Sequence, residues 1–255
     1  MYIRAAHAET SLVALRRIIR QNPLGQFTTA IDSSNHDFLQ SSHIPFVLDI
    51  DDESSDTELG RLRGHLARAN PQSKAIIEEV SRDDSGSAVT TLQRNVLVIF
   101  TSPVHHYVTP KFYTETKPAT GKVVPTWNYS AVQVYGKATV YIDSKSETTG
   151  SFLKQQIHDL SEFNEQEMMG FNGQGYNPGP WRVSDAPEKY IDLLKKAIIG
   201  VEIEVTKMEG KFKMSQEMSE GDINGVVQGF NRLNTEVGRS VGEIVDSRRT
   251  MRNQT

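Results

Sequence analysis

The chain has 255 residues, of which 37% are hydrophobic and 24% charged, with a formal net charge of −4 at pH 7 and no cysteine. That composition suits a globular chain with an ordinary core. It excludes disulfides, cysteine nucleophiles and cysteine zinc sites, and it leaves no global basic field for nucleic acid. No apolar run is long enough to cross a bilayer. The N-terminal MYIRAAHAET has neither an apolar signal core nor the Arg-rich, acid-poor character of a transit peptide, so the chain is expected to remain unexported.

At 10–21, Leu12, Leu15, Ile18 and Ile19 recur at helical spacing, with Thr10 or Ser11 as cap and Pro23 beyond the end. The pattern predicts an amphipathic helix that turns Arg16, Arg17 and Arg20 to solvent. Segments 24–31 and 43–50 read as strands. The acidic DIDDESSDTE after them lacks the glycine and terminal glutamate of a calcium loop and is expected to be a mobile surface loop. In RLRGHLARANP (61–71) an extended chain places Arg61, Arg63 and His65 on one face. A guanidinium fork there suits a phosphate, or else pairs with acidic side chains or carbonyls. Asn70-Pro71 starts a short helix through KAIIEEV.

SRDDSGSAVTTLQ has no periodic pattern and reads as a polar insertion, whereas NVLVIFT (95–101) reads as a central strand buried on both sides. His105-His106 point to opposite faces of an extended chain without a metal-ligand spacing, so no metal is expected. Residues 111–113 read as another short strand and TETKPATGK as a loop. In GKVVPTWNYSAVQVYG (121–136), Pro125 blocks the ladder and a period-2 pattern follows Trp127-Asn128-Tyr129. The aromatic pair therefore sits at a strand mouth. Two rings and an amide can stack a planar ligand and bond its edge, or plug a barrel end with their polar tips satisfied locally; on the residues alone the plug is favoured.

Gly136 marks a bulge in a long strand that continues to 142. A helix is expected over 148–169. GFNGQGYNPGPW is a loop, since no strand precedes its glycines and Pro178 stands where a third glycine would be needed for dinucleotide binding. A helix over 187–198 carries Tyr190, Leu193, Leu194 and Ala197 on one side and ends at Gly200. In the strand 201–207, Val201, Ile203 and Val205 face in. A MEG hinge leads into KFKMSQ, which places Lys211 and Lys213 on one face. A last helix is expected over 219–233. The sequence reads as one domain over 1–230, followed by a charged tail (231–255) that is flexible or partner-dependent.

Taken in order, RLRGHLARANP, VVPTWNYSAVQVYG, VSDAPEKYI, GVEIEVTKMEG and EGKFKMSQ resemble the PaiB family of transcriptional regulators, in the FMN-binding split-barrel superfamily. The likeness runs from Met1 to about Phe230. Phe112 and Phe212 stand where the family pattern has tryptophans, and the loops at 49–58 and 81–93 and the tail are extra. The resemblance implies an α+β, β-rich fold: a six-stranded, mostly antiparallel Greek-key split barrel with flanking helices. It also implies a homodimer whose ligand sites lie between subunits, and FMN as cofactor. Arg63, Arg68, Lys111, Lys211 and Lys213 are the cations for a phosphate; Trp127, Asn128 and Tyr129 address the ring; His65, Asn70, Thr109, Ser215 and Gln216 supply further polar groups. The functions this implies are an FMN-binding negative transcriptional regulator, a flavin-dependent oxidoreductase or haem-binding or haem-degrading relative, and a cofactor-less interaction module. Direct DNA contact is unsupported by the net charge, no membrane is expected, and the location implied is cytoplasmic, or nuclear in a eukaryote.

Overall fold

The structure, a computed structural model, describes residues 1–82 and 89–252. The middle of the polar insertion and the last three residues of the tail lie outside the described residues. The strands are β1 (Ala8–Glu9), β2 (Leu24–Ala30), β3 (Leu39–Pro45), β4 (Val47–Asp49), β5 (Arg61–Ala67), β6 (Val89–Thr91), β7 (Val96–Thr101), β8 (His106–Val108), β9 (Thr126–Tyr141) and β10 (Ile198–Lys213). Between them lie the helices α1 (Leu12–Gln21), α2 (Pro71–Val80), α3 (Thr116–Thr120), α4 (Glu147–Phe163) and α5 (Glu188–Lys196), and α6 (Glu220–Arg232) and α7 (Glu236–Arg252) close the chain. The class is α+β and β-rich, and the strand pairs are antiparallel. Ten strands are present among the described residues where six were expected; β1, β4, β6 and β8 are pieces of two or three residues. No described helix is long and apolar enough to cross a membrane.

The chain divides into two compact units, one of Met1–Ile18, Thr101–Val132 and Glu209–Thr255, the other of Ile19–Phe100 and Gln133–Met208. In this second unit, which holds β9 from Gln133 and β10 up to Met208, the strands follow the order β3-β2-β7-β9-β10-β5-β4, with β6 on β9. Its core is fixed by edge-to-face rings, Phe46 standing 6.2 Å from Phe27 and 6.0 Å from Phe100. β10 alternates as its sequence predicts: Val201, Ile203 and Val205 are buried. Asn70 caps α2 by accepting the Gln72 N–H at 2.9 Å, with Pro71 in the first turn. The buried Gln72 amide then donates to the Phe27 carbonyl (3.2 Å), Thr29 Oγ1 (3.0 Å) and the Gln40 carbonyl (3.2 Å), tying the helix to the β2–β3 hairpin. Gly136 sits inside the continuous β9, where a Cβ would lie 2.2 Å from the Glu204 carbonyl oxygen, so the close backbone approach there admits only glycine.

The 49–58 segment closes on itself, the Glu58 carboxylate accepting the N–H groups of Asp51 (2.7 Å) and Asp52 (2.9 Å) while Arg20 forks onto Glu53. α5 differs from the expectation in its burial. Tyr190, Leu193 and Leu194 are exposed, and no α5 residue is fully buried.

The first unit has its own core of Val108, Tyr113, Met214, Ile223, Val226, Phe230, Val241 and Val245. Here the sequence reading needs four corrections. The 231–255 stretch, expected to be a flexible or partner-dependent tail, is mostly α7, because Val241 and Val245, one turn apart, bury completely against α6. Residues 110–112 form a 3₁₀ turn in place of a strand, since Pro110 occupies its first position and Thr109 Oγ1 accepts the Lys111 N–H at 3.3 Å. The following loop contains α3. Its start is held by the buried Asp222 carboxylate, which accepts the N–H groups of Glu115 (2.9 Å) and Thr116 (3.2 Å). Arg16, expected in solvent, is 1% exposed.

Candidate functional site

The expected site residues fall in both units, and those of the second are largely spent on the fold. Arg63 Nε donates to Asp49 (2.5 Å), and its Nη2 donates to both Asp49 (2.7 Å) and Asp159 (2.8 Å). The hydrogen bond with Asp49 is the largest influence and holds the guanidinium firmly protonated. Burial works against ionisation of Asp159, but the bonds from Arg63, His158 and Gln155 outweigh it and keep that carboxyl below its ordinary range. Two carboxylates therefore already occupy the fork that a phosphate would need. Arg68 braces strand ends through the carbonyls of Ile142, Lys196 (3.3 Å) and Ile198 (3.4 Å). Asn70, besides capping α2, donates to Ser42 Oγ at 2.9 Å. His65 stands apart from this network: its Nδ1 is buried without a hydrogen-bond partner, and burial lowers its pKa.

In the first unit the start of β9 meets the end of β10. Asn128 is fully buried, its Nδ2 donating to Ser215 Oγ (3.0 Å) while the Ser215 hydroxyl is placed to donate back to Oδ1 (3.1 Å). That pairing holds Ser215 at φ +61°. Gln216 accepts the Met214 N–H (2.6 Å) and donates to the Phe212 carbonyl. These three side chains lock the corner after β10 and do not present their polar groups to a ligand.

Around the corner lie the groups that do face outward. Trp127 is 48% exposed, its indole N–H donating to His105 Nδ1 at 3.2 Å, with Tyr107 edge-on at 6.3 Å. Lys213 donates to Thr126 Oγ1 and to the Trp127 carbonyl (3.2 Å). Lys211 donates to the Tyr2 carbonyl (3.1 Å) and stands 5.3 Å from the centre of the Tyr129 ring. Burial lowers the pKa of Lys213, Glu217 opposes this, and the charges of Lys211 and Arg4 lower it further. Both ammonium groups thus bond neutral oxygens and repel one another, an arrangement that an anion would relieve. Lys111 is exposed on its turn. At the Phe212 position the ring face is covered by the Arg248 guanidinium at 3.8 Å, which also pairs with Glu9 (2.6 Å).

Reading the sequence missed Arg4, His105 and Tyr107 as members of this cluster. His105 was legible only as half of a histidine pair, and Arg4 lies more than two hundred residues from Lys213.

Residues 1–207 match the family model described as "Putative FMN-binding domain". The chain belongs to this family. A protein of Aspergillus fumigatus is 57% identical to it over the whole of both chains. Protease synthase and sporulation protein PAI 2 of Bacillus subtilis is 24% identical over 97% of this chain and 98% of its own. Among solved structures, the conserved hypothetical protein Rv2991 of Mycobacterium tuberculosis has a TM-score of 0.45 at 12% identity, covering 86% of this chain and 95% of its own. Membership accords with the antiparallel, β-rich fold described above. Within an FMN-binding-domain chain, the Lys211–Lys213 pair and the Trp127 and Tyr129 rings are residue types that fit a phosphate and a planar ring system.

Proposed function

We propose that this protein binds FMN in its first unit, with Lys211 and Lys213 taking the phosphate and Trp127 and Tyr129 meeting the ring. It acts on this reading as a PaiB-like, cytoplasmic homodimer that regulates transcription negatively. The observation that carries the binding reading is the contrast between the cations: Arg63 is neutralised by two carboxylates, whereas Lys211 and Lys213 bond only neutral oxygens among their hydrogen bonds. A dianionic phosphate gains most where cations are gathered and not already paired. The exposed rings of Trp127 and Tyr107 support completion of the site by a second copy. With a net charge of −4, regulation through a partner is favoured over a direct grip on DNA.

Titrations of the full chain with FMN and with riboflavin, followed by flavin fluorescence, test the proposal alongside the mass in solution. FMN is expected to saturate, and riboflavin, which lacks the phosphate, to bind at least roughly tenfold more weakly. Lys213→Met is expected to bring FMN down to the riboflavin level. Equal affinities for the two flavins, or no binding of FMN, would sink the assignment of the lysines; the mass of a single chain would remove the dimer.

A further inference from the structure

A cleft of about 470 Å³ opens within the second unit between β5, the start of β10, α4 and α5. Ile157 and Leu160 of α4, Ile191 and Leu194 of α5, Ile198 of β10 and the ring of Trp181 make its walls. The volume is that of a small-molecule site, and the lining is overwhelmingly apolar. Lys195 at the rim has its ammonium 2.8 Å from Asp192, so the one cation on the lining is already paired. His65 also lines the cleft, and its Nδ1 is the buried ring nitrogen that lacks a partner. The imidazole sets a hydrogen-bonding ring on an otherwise largely apolar lining, the pattern of a small-molecule site. α5 points the same way: it is apolar along the cleft yet has no fully buried residue, and Leu194 and Trp181 remain 44% and 47% exposed. That wall has been built without the packing that would normally hold it.

We propose that this cleft binds a small, uncharged, planar aromatic molecule whose single hydrogen-bonding group is directed at the His65 imidazole. The apolar walls favour a flat ring, and Trp181 gives it a face to stack on. A neutral imidazole offers one donor and one acceptor, so the group on the ligand is an N–H or a ring nitrogen, according to the tautomer. Flavin phosphate is not the occupant, because no unpaired cation lines the cleft; the inference is independent of the FMN reading.

The chain has two tryptophans, Trp127 and Trp181, so 5-fluorotryptophan labelling gives two ¹⁹F signals that Trp127→Phe assigns. The full-length labelled protein is titrated with indole, isoquinoline and indene in mildly alkaline buffer, where all three are neutral. The Trp181 signal is expected to move saturably while that of Trp127 stays. Either indole or isoquinoline should bind roughly fivefold more tightly than indene, which has no polar atom. In His65→Phe that preference should vanish while indene binding persists. The comparison of the three ligands on the unaltered protein stands even if His65→Phe fails to fold. Absence of a saturable Trp181 shift, equal affinity for all three ligands, or a matching shift of Trp127 would overturn the proposal.

Discussion

Ser215 holds a left-handed backbone angle, φ +61°, that a side-chain-bearing residue adopts only at a cost of about 1–2 kcal/mol. It is retained because its hydroxyl and the buried Asn128 amide satisfy each other. Ser215→Ala keeps the strained angle and strands the amide, and is expected to cost about 1–3 kcal/mol. Ser215→Gly strands the amide too but relieves the angle, so it should be the milder by about 1 kcal/mol. Denaturant midpoints of the two variants decide; equal losses would mean that the angle carries no strain. Arg63 yields a second prediction. Arg63→Met leaves Asp49 and Asp159, each about a quarter exposed, without their cation, and should cost about 1–3 kcal/mol after discounting for solvent. The folded-state pKa of Asp159 lies below its ordinary value, so its stabilising share is complete at neutral pH and is lost as pH falls below about 4. In Arg63→Met that share is missing, and stability should decline less steeply between about pH 5 and 3 than in the parent chain.

Elements were legible where the apolar period was broad and opaque where long-range partners decide. α1, α2 and the inward face of β10 follow from periods of 3.6 and 2 visible in Leu12–Leu15–Ile19 and Val201–Ile203–Val205. α7 hides because its buried stripe is narrow: Val241 and Val245 stand among Arg239, Glu243, Asp246, Arg248 and Arg249, and composition alone looks like a solvated tail. The role of Arg63 hides for another reason, since Asp49 and Asp159 lie 14 and 96 residues away and no local pattern announces them. The lysines at 211 and 213 were visible as a strand face, yet their value as an anion site depends on partners only the fold reveals. The burial of Val241 and Val245 makes α7 testable: Val241→Ala and Val245→Ala should each cost about 2–3 kcal/mol, read as a lower thermal or urea midpoint. A dispensable arm would tolerate both, and unchanged midpoints would restore it.

At the scale of the whole molecule, charge and family membership pull the functional reading in different directions. The relative in Bacillus subtilis is named for protease synthesis and sporulation, and the proposed role is regulatory, yet 28 basic against 32 acidic residues leave this chain acidic. Binding to a duplex is driven by release of counterions, one for each phosphate neutralised, so affinity falls with salt in proportion to the number of such contacts. Among the cations described above, Arg63, Arg20 and Arg248 are already held by carboxylates. Lys211 and Lys213 gather around one small locus, a footprint for a single phosphate and not for a row of them. A fluorescence-anisotropy titration of the full chain with labelled duplex DNA should therefore show weak affinity with a shallow dependence on salt, corresponding to no more than one or two phosphate contacts. A slope of six or more contacts, as for proteins that grip the duplex themselves, would require a basic surface and would make the proposed regulation direct; a shallow slope leaves the proposed flavin site as the place where a signal would enter and a partner as the agent that would reach DNA.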